Sequence, residues 1–329
     1  MNAHLSSAAS GVTVIGAGVV GLTTAIRLAR AGFRVRILAK ERTPGTTSDI
    51  AAAVWYPFHA GPPARALAWG RTTYAVLKDL ARYQPEAGVT MVAGLEIFTR
   101  AQGGGPWWQT AVDGFRPARP EELPAGYVDG YAFSAPVVQM PVYLPWLEAR
   151  FLDLGGVIEV RHVQKLDDLL SVPPPVPIVV NCTGLGAGRL VHDPLLQPIR
   201  GQIVYVAPGH AAGFVQDTHD PAAITYIIPR PDCTVLGGTS EPGEWDTTPQ
   251  PEVAEAILAR CRALVPGLAD AAVLAHAVGL RPGRAEVRLE AETQAGGLVI
   301  HNYGHGGSGV TLSWGCAEEV VQIVQEQGS

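Results

Sequence analysis

An α/β architecture of two lobes is predicted by three observations. A glycine-rich turn, Gly16-Ala17-Gly18-Val19-Val20-Gly21, follows a β-branched run and opens an apolar helix near the start of the chain. A second, Gly304-His305-Gly306-Gly307-Ser308-Gly309, joins a strand-like run to an amphipathic helix near the other end. Between them lie stretches of strand-like alternation broken by glycine and proline. Together they predict a Rossmann-like dinucleotide-binding domain assembled from discontinuous segments, plus a β-rich α+β substrate-binding domain.

The elements follow in order. Residues 1–10 read as a loose tail. Val12–Ile15 is a short β-branched strand, Gly21–Ala31 a helix, and Gly32 its stop. Phe33–Leu38 alternates apolar residues with Arg and reads as the second strand, completing a βαβ unit of about 30 residues. Thr43–Asp49 is a loop rich in hydroxyls, and Ala64–Tyr83 a helix. From Gly88 to Ser134 strand-like alternation is broken by Gly103-Gly104-Gly105 and prolines, which starts the β-rich lobe. Val142–Leu154 reads as a helix and Val157–Arg161 as a strand. Ile178-Val179-Val180 reads as a buried parallel strand ending in Asn181-Cys182-Thr183-Gly184. Strands return around Gln202–Val206, Thr225–Pro229 and Thr234–Gly238, interrupted by a helix near Pro251–Val265. From Gly297 the chain is strand, turn and helix again. We therefore assign 11–80, 135–195 and 280–329 to the nucleotide-binding domain, and 81–134 and 196–279 to the substrate-binding domain.

Composition excludes several classes. The 329 residues are 47% hydrophobic and 16% charged, which is globular and not disordered. A net charge of -6 without a basic run argues against nucleic acid. No run reaches the roughly 18 apolar residues of a membrane-spanning helix. The four cysteines are scattered without a Cys-x-x-Cys pair. They read as buried thiols of a cytoplasmic protein, with one disulfide as the alternative. No metal-ligand set, Gly-x-Ser-x-Gly elbow or Walker lysine is present, so hydrolase, metalloenzyme and P-loop readings have little support.

Each motif has a physical reading. Gly16 permits the tight turn, Gly18 lets backbone approach a pyrophosphate, and Gly21 lets helix and strand pack closely. The phosphates then meet N–H groups at a helix N-terminus. After the second strand Lys40 cannot accept from ribose hydroxyls and Glu41 can, so Glu41 is assigned that contact. Thr46, Thr47 and Ser48 offer hydroxyls to phosphate or ribityl oxygens, or form a solvated turn. Arg281 and Arg284 lie in Gly279-Leu280-Arg281-Pro282-Gly283-Arg284. Arg281 reads as a clamp on a substrate carboxylate or as a structural ion pair. Tyr226, by spacing alone, reads as a core aromatic. The Gly304–Gly309 turn lets backbone lie against a planar ring, and the helix after it points its positive end there. His305 reads as structural. Two such turns at opposite ends of the chain fit a flavin dinucleotide, FAD, better than a nicotinamide.

These pieces, with Thr43–Ala52, Asn181–Gly184, Asp193–Pro198, Arg200-Gly201-Gln202 and Tyr226–Pro229, are similar in kind and order to the D-amino acid oxidase family. The family includes D-aspartate oxidase. The resemblance spans almost the whole chain. It implies FAD as cofactor, a D-amino acid and molecular oxygen as partners, and no nucleic acid or membrane partner; a homodimer is also considered. It implies oxidation of neutral D-amino acids to 2-oxo acids, ammonia and hydrogen peroxide. Arg281 matches the family's carboxylate-binding arginine, Tyr226 its partner tyrosine, and Gly307 the residue whose carbonyl accepts from the substrate amine. FAD contacts are implied at Gly16, Ala17, Gly18, Val19, Val20 and Gly21, and at Glu41, Thr46, Thr47 and Ser48. Further contacts fall on Ala52, Ala53, Val54, Val163, Thr183 and Gly184, then on Gly306, Gly307, Ser308, Gly309, Val310 and Thr311. Three departures stand out. His219–Ile224 lacks the family's lid tyrosine, which implies a more open site and faster product release. Tyr56 and Phe58 replace side chains of other sizes near the flavin. Lys40 stands where an acidic residue is usual. A D-aspartate oxidase would need an extra cation, for which Arg230 and Arg284 are the candidates; a flavin-binding protein without turnover is the other alternative.

Overall fold

The computed structural model describes residues 11–58, 60–170, 177–220, 223–294 and 296–327. The expected tail 1–10 and Pro221-Ala222 of the lid segment lie outside them. Two sheets organise the chain. The first has six strands, in the order β14 (Arg288–Gln294), β15 (Gly297–Tyr303), β7 (Ile178–Asn181), β1 (Gly11–Ile15), β2 (Arg34–Ala39) and β6 (Val157–Val160). From β15 to β6 every pairing is parallel, and β14 closes the edge antiparallel. The central strands β7 and β15 are buried along their whole length, which is why they read as unbroken apolar runs and not as alternation.

Helix α1 (Val19–Arg30) follows β1 directly. It begins two residues earlier than the glycine pattern predicts, because Gly21 is accommodated inside its first turn. It stops where Gly32 takes φ +92°, a conformation that favours glycine. α1 packs on α7 (Gly309–Gln327) and α3 (Met140–Asp153), and α7 packs on α2 (Pro63–Tyr83). The α2–α7 crossing is close: a Cβ on Gly315 would stand 2.3 Å from Trp69 backbone. Single-turn helices α4 (Asp167–Leu170) and α5 (Ala187–Leu190) flank β7.

The second sheet runs β12 (Glu241–Pro242), β8 (Gln197–Val206), β11 (Thr234–Gly237), β10 (Thr225–Pro229), β9 (Phe214–Asp217), β3 (Val89–Phe98), β5 (Asp129–Val138) and β4 (Asp113–Pro117). β13 (Val273–Gly283) also pairs with β8, antiparallel. One face, carrying Val204, Val206, Ile227 and Leu236, packs on Ala254, Ile257 and Cys261 of α6 (Pro251–Leu264). The other faces the site described next. The switches drawn from sequence at 134/135 and 279/280 fall inside β5 and β13, since both strands belong whole to this sheet. All four cysteines are buried and free. No helix of the described residues is long and apolar enough to cross a membrane.

Candidate active site

A cavity of about 830 Å³ is lined by residues of both sheets. That is the upper end of the range for small-molecule sites, room for a cofactor and a small substrate together.

At one end lies the β1–α1 turn. Gly16 takes φ +111°, and a Cβ there would stand 2.5 Å from Cys182 O. Gly16, Ala17, Gly18, Val19 and Val20 line the cavity, and Gly21 does not. A Cβ on Gly21 would stand 2.0 Å from Gly16 O. Gly21 therefore acts through packing, and its expected contact with cofactor is corrected. The first turn of α1 holds no acidic residue that would oppose an anion at its N-terminus.

The hydroxyl loop is more internally bonded than its composition suggests. Thr46, Thr47 and Ser48 all line the cavity. The Thr46 hydroxyl donates to Asp49 Oδ2 at 2.7 Å, and Thr43 donates to Asp49 Oδ1 at 2.6 Å. Ser48 Oγ accepts from the Val19 N–H at 3.0 Å, which leaves its own hydrogen to donate. Glu41 lines the cavity beside Lys40, whose Nζ stands 2.9 Å from its carboxylate. Arg161, His162 and Val163 line it in succession, and Thr183 and Gly184 also line it. Thr183 is set by Asn181 Oδ1, which accepts from its hydroxyl at 2.7 Å.

The other end is built on the β15–α7 turn. Gly306 takes φ +54°. Gly306, Gly307, Gly309, Val310 and Thr311 line the cavity, as do Ala52, Ala53 and Val54 opposite. Ser308 does not line it, and its hydroxyl donates to Phe58 O at 2.8 Å, bracing that segment. Thr311 Oγ1 ties the same segment, accepting from Tyr56 N at 3.1 Å and donating to Tyr56 O at 2.9 Å. His305 is buried, and burial pushes its imidazole down to about 4. It is held neutral, it lines the cavity, and its Nε2 is buried without a hydrogen-bond partner.

Arg281, Tyr226 and Gly307 meet here. Arg281 Nη1 donates to Thr239 O at 3.0 Å, and no carboxylate pairs with Arg281 among the described residues. Its guanidinium lies over Gly201, where a Cβ would stand 2.4 Å from both Nη atoms. A Cβ on Gly307 would stand 3.7 Å from Arg281 Cδ. Burial pushes the Tyr226 phenol up, and the Arg281 guanidinium hydrogen-bonded beside it opposes that. Tyr226 lines the cavity, so the core reading from spacing gives way. The proposed extra cations are engaged elsewhere. Arg230 forks onto Asp232 at 3.0 and 2.7 Å, and Arg284 pairs with Asp193 at 3.1 Å. Neither lines the cavity.

Sequence reasoning gave no site role to Gly201, Gln216 and Thr218, which line it beside Tyr56, a residue it had placed near the flavin. The Tyr56 hydroxyl donates to Glu96 at 2.5 Å. The one local signal was a carboxylate, Glu96, inside the apolar run Gly94-Leu95-Glu96-Ile97-Phe98. Glycines that admit backbone at both ends, two unopposed helix N-termini and a free guanidinium fit an anionic, flat, two-ended cofactor such as FAD.

The comparisons agree with that class. The family described as FAD dependent oxidoreductase matches residues 11–323, and the chain belongs to it. Within it the chain groups with D-amino-acid oxidases. It is 51% identical to the D-amino-acid oxidase of Rubrobacter xylanophilus over 94% of both chains. It is 44% identical to that of Streptomyces coelicolor, over 95% of this chain and 96% of the other. The Homo sapiens D-aspartate oxidase is 38% identical over 96% of this chain and 94% of its own. The glycine oxidase of Geobacillus kaustophilus shares the fold, with a TM-score of 0.79 at 20% identity, over 97% of this chain and 95% of that one.

Proposed function

We propose that the chain oxidises neutral D-amino acids at the α-carbon, giving 2-oxo acids and ammonia, with molecular oxygen as the final acceptor and hydrogen peroxide as its product. The observation that carries this reading is the unpaired Arg281 guanidinium, held beside Tyr226 and the Gly307 turn. A half-buried cation without a carboxylate is a binding site for one.

FAD bound there would supply the acceptor for the α-hydrogen and its two electrons. The Gly16–Val20 turn and the Ser48 hydroxyl would hold the pyrophosphate, Glu41 the ribose, and the Gly306–Gly309 turn the ring system, with its positive helix end favouring negative charge there. Arg281 grips the substrate carboxylate as a fork, and Tyr226 donates beside it. The Gly307 carbonyl accepts from the amine. With carboxylate and amine fixed, the α-hydrogen of only one enantiomer faces the ring. Glu41 is the lone carboxylate lining the cavity among the described residues, and it sits at the nucleotide end. No carboxylate base is therefore placed to take a proton from the α-carbon, which suits transfer of the hydrogen with its electron pair. Water then hydrolyses the released imino acid.

D-Aspartate is disfavoured, because Arg230 and Arg284 already hold carboxylates outside the cavity. The four free, buried thiols support a cytoplasmic setting, and light scattering tests for a homodimer. The test of the activity is anaerobic mixing of FAD-loaded protein with D-alanine, L-alanine and D-aspartate. Bleaching of the flavin by D-alanine alone is expected. Bleaching chiefly by D-aspartate would overturn the neutral preference, and bleaching by none of them would overturn the activity.

A further inference from the structure

One row of side chains crosses the nine-stranded sheet from Tyr226 to Glu96. Tyr226 stands opposite Gln216 on β9, and Gln216 opposite Glu96 on β3. Residues directly opposed across strands share a face. That face is the cavity's, because Gln216, Tyr226, Ile224 and Ile228 all line the cavity. The alternate residues Val215 and Ile227 pack toward α6 instead. Strands lie about 4.8 Å apart, so Glu96 stands about 10 Å from Tyr226 along the row. It lies on the side away from β8 and β13, hence away from Arg281.

The far end of the row is polar and incomplete, and it lies just behind the cavity wall: Tyr56, Gln216 and Thr218 line the cavity there, and Glu96 does not. Glu96 is 2% exposed. Its Oε1 accepts from the Tyr56 hydroxyl at 2.5 Å and lies 3.2 Å from His219 Nε2. Its Oε2 is buried with no hydrogen-bond partner, and so is Gln216 Nε2. No Arg or Lys pairs with Glu96 among the described residues; half-exposed His219 is the cationic candidate in contact with it. A buried carboxylate oxygen without a donor is unfavourable and marks a place for one.

We infer that this end of the cavity receives the substrate side chain, and that Glu96 makes it select side chains ending in an ammonium or guanidinium and reject those ending in a carboxylate. The inference rests on the D-amino acid reading of the Arg281 site. A substrate pinned at Arg281 and Tyr226 lays its side chain over Gln216. Small neutral side chains stop there and remain substrates. A lysine- or arginine-length stem crosses to Glu96 and supplies the missing donor. A terminal carboxylate at the same distance meets a like charge in a poorly solvated site.

The test compares kcat/KM for D-lysine, D-norleucine and D-2-aminoadipate, which have side chains of similar length and differ in end group. D-Lysine is expected to exceed D-norleucine by about tenfold, one charge-assisted hydrogen bond, and D-2-aminoadipate to fall well below both. Glu96→Gln should bring the D-lysine to D-norleucine ratio close to one. A wild-type ratio at or below one overturns the inference even if the variant does not fold. So does a ratio that Glu96→Gln leaves unchanged. Binding separates this from the activity itself. Anaerobic titration, read from the flavin spectrum, should show 6-aminohexanoate binding about tenfold tighter than hexanoate. If that preference holds while no D-amino acid bleaches the flavin, the oxidase reading fails and the subsite stands. If D-alanine bleaches the flavin and the preference is absent, the subsite fails and the oxidase reading stands.

Discussion

Gly201→Ala should disable the carboxylate clamp without replacing any group assigned to substrate contact. Gly201 lies on β8 with an ordinary negative-side backbone, and its missing side chain makes room for the Arg281 guanidinium. A Cβ there would stand 2.4 Å from Nη1 and Nη2. An ordinary contact needs about 3.5 Å, so the guanidinium must retreat by about 1 Å. It can do so, because it is the free end of a flexible side chain, but it then stretches its 3.0 Å bond to Thr239 O and leaves its place beside Tyr226. A misplacement of about 1 Å costs about a hundredfold in rate, or about 2.7 kcal/mol of barrier. The fold loses little, since a strand residue gains by exchanging glycine for alanine. Steady-state kcat/KM for D-alanine should therefore drop about a hundredfold while the melting temperature moves by only about 2 °C. Activity within about threefold of wild type in a folded, FAD-loaded variant would refute the clamp geometry. An equal collapse of stability and FAD binding would show Gly201 to be a packing residue instead.

Arg281→Lys replaces the fork with a point charge and should lower kcat/KM for D-alanine by about ten- to a hundredfold, with Arg281→Ala worse; near-wild-type kinetics in either removes the assignment. Gly21→Ala sets a methyl against backbone at Gly16 O and should abolish FAD binding through misfolding. Gly18→Ala meets only Ser48 Oγ, at 3.1 Å, and should fold with weakened FAD binding; thermal melts and flavin-fluorescence titration distinguish the two. Ser48→Ala removes the acceptor of the Val19 N–H and should cost about 1 kcal/mol of stability, read from denaturant midpoints. His305 stays neutral in the fold down to about pH 4, whereas the unfolded chain protonates it near pH 6.5, so the unfolded state binds the extra proton between them. Stability is then lost as pH falls from about 6.5 to 4, by about 3 kcal/mol from this group, and His305→Phe should flatten that limb. An acid limb identical to wild type would show that other groups control it.

Features fixed by neighbours in sequence were legible, and features fixed by register between distant strands were not. The Gly16–Gly21 turn could be read because a tight turn, a close approach and a helix start constrain residues within six positions. Arg230 was readable in principle: its partner Asp232 is two residues away. The partner of Arg284, Asp193, is 91 residues away, and no local pattern reveals it. The bond from Val19 to Ser48, across 29 residues, is invisible in composition, so the sequence offered the hydroxyl but not what fixes its position. Tyr226 looked like core because spacing shows alternation, not which face is empty. Only the β10–β9–β3 register aligns it with Gln216 and Glu96.

The register also explains how two sheets hold one reaction geometry. Arg281 sits near the end of β13 in the nine-stranded sheet, and Gly307 follows β15 in the six-stranded one. Hydrogen transfer needs both ends of the substrate fixed against one ring, so slippage between the sheets would spoil the alignment. Asp193 stands between them. Its Oδ2 accepts from Arg284, just after β13, at 3.1 Å and from the Tyr303 hydroxyl, at the end of β15, at 2.9 Å. Tyr303 in turn accepts from Arg288 Nη1 at 2.9 Å. Burial alone would raise the Asp193 carboxyl. Bonds from the Leu195 N–H, Tyr303 and Arg284 outweigh it and hold the group below its ordinary range. Arg284, weighed as a cation for an acidic substrate, is thus better understood as the link that keeps Arg281 at a fixed distance from Gly307.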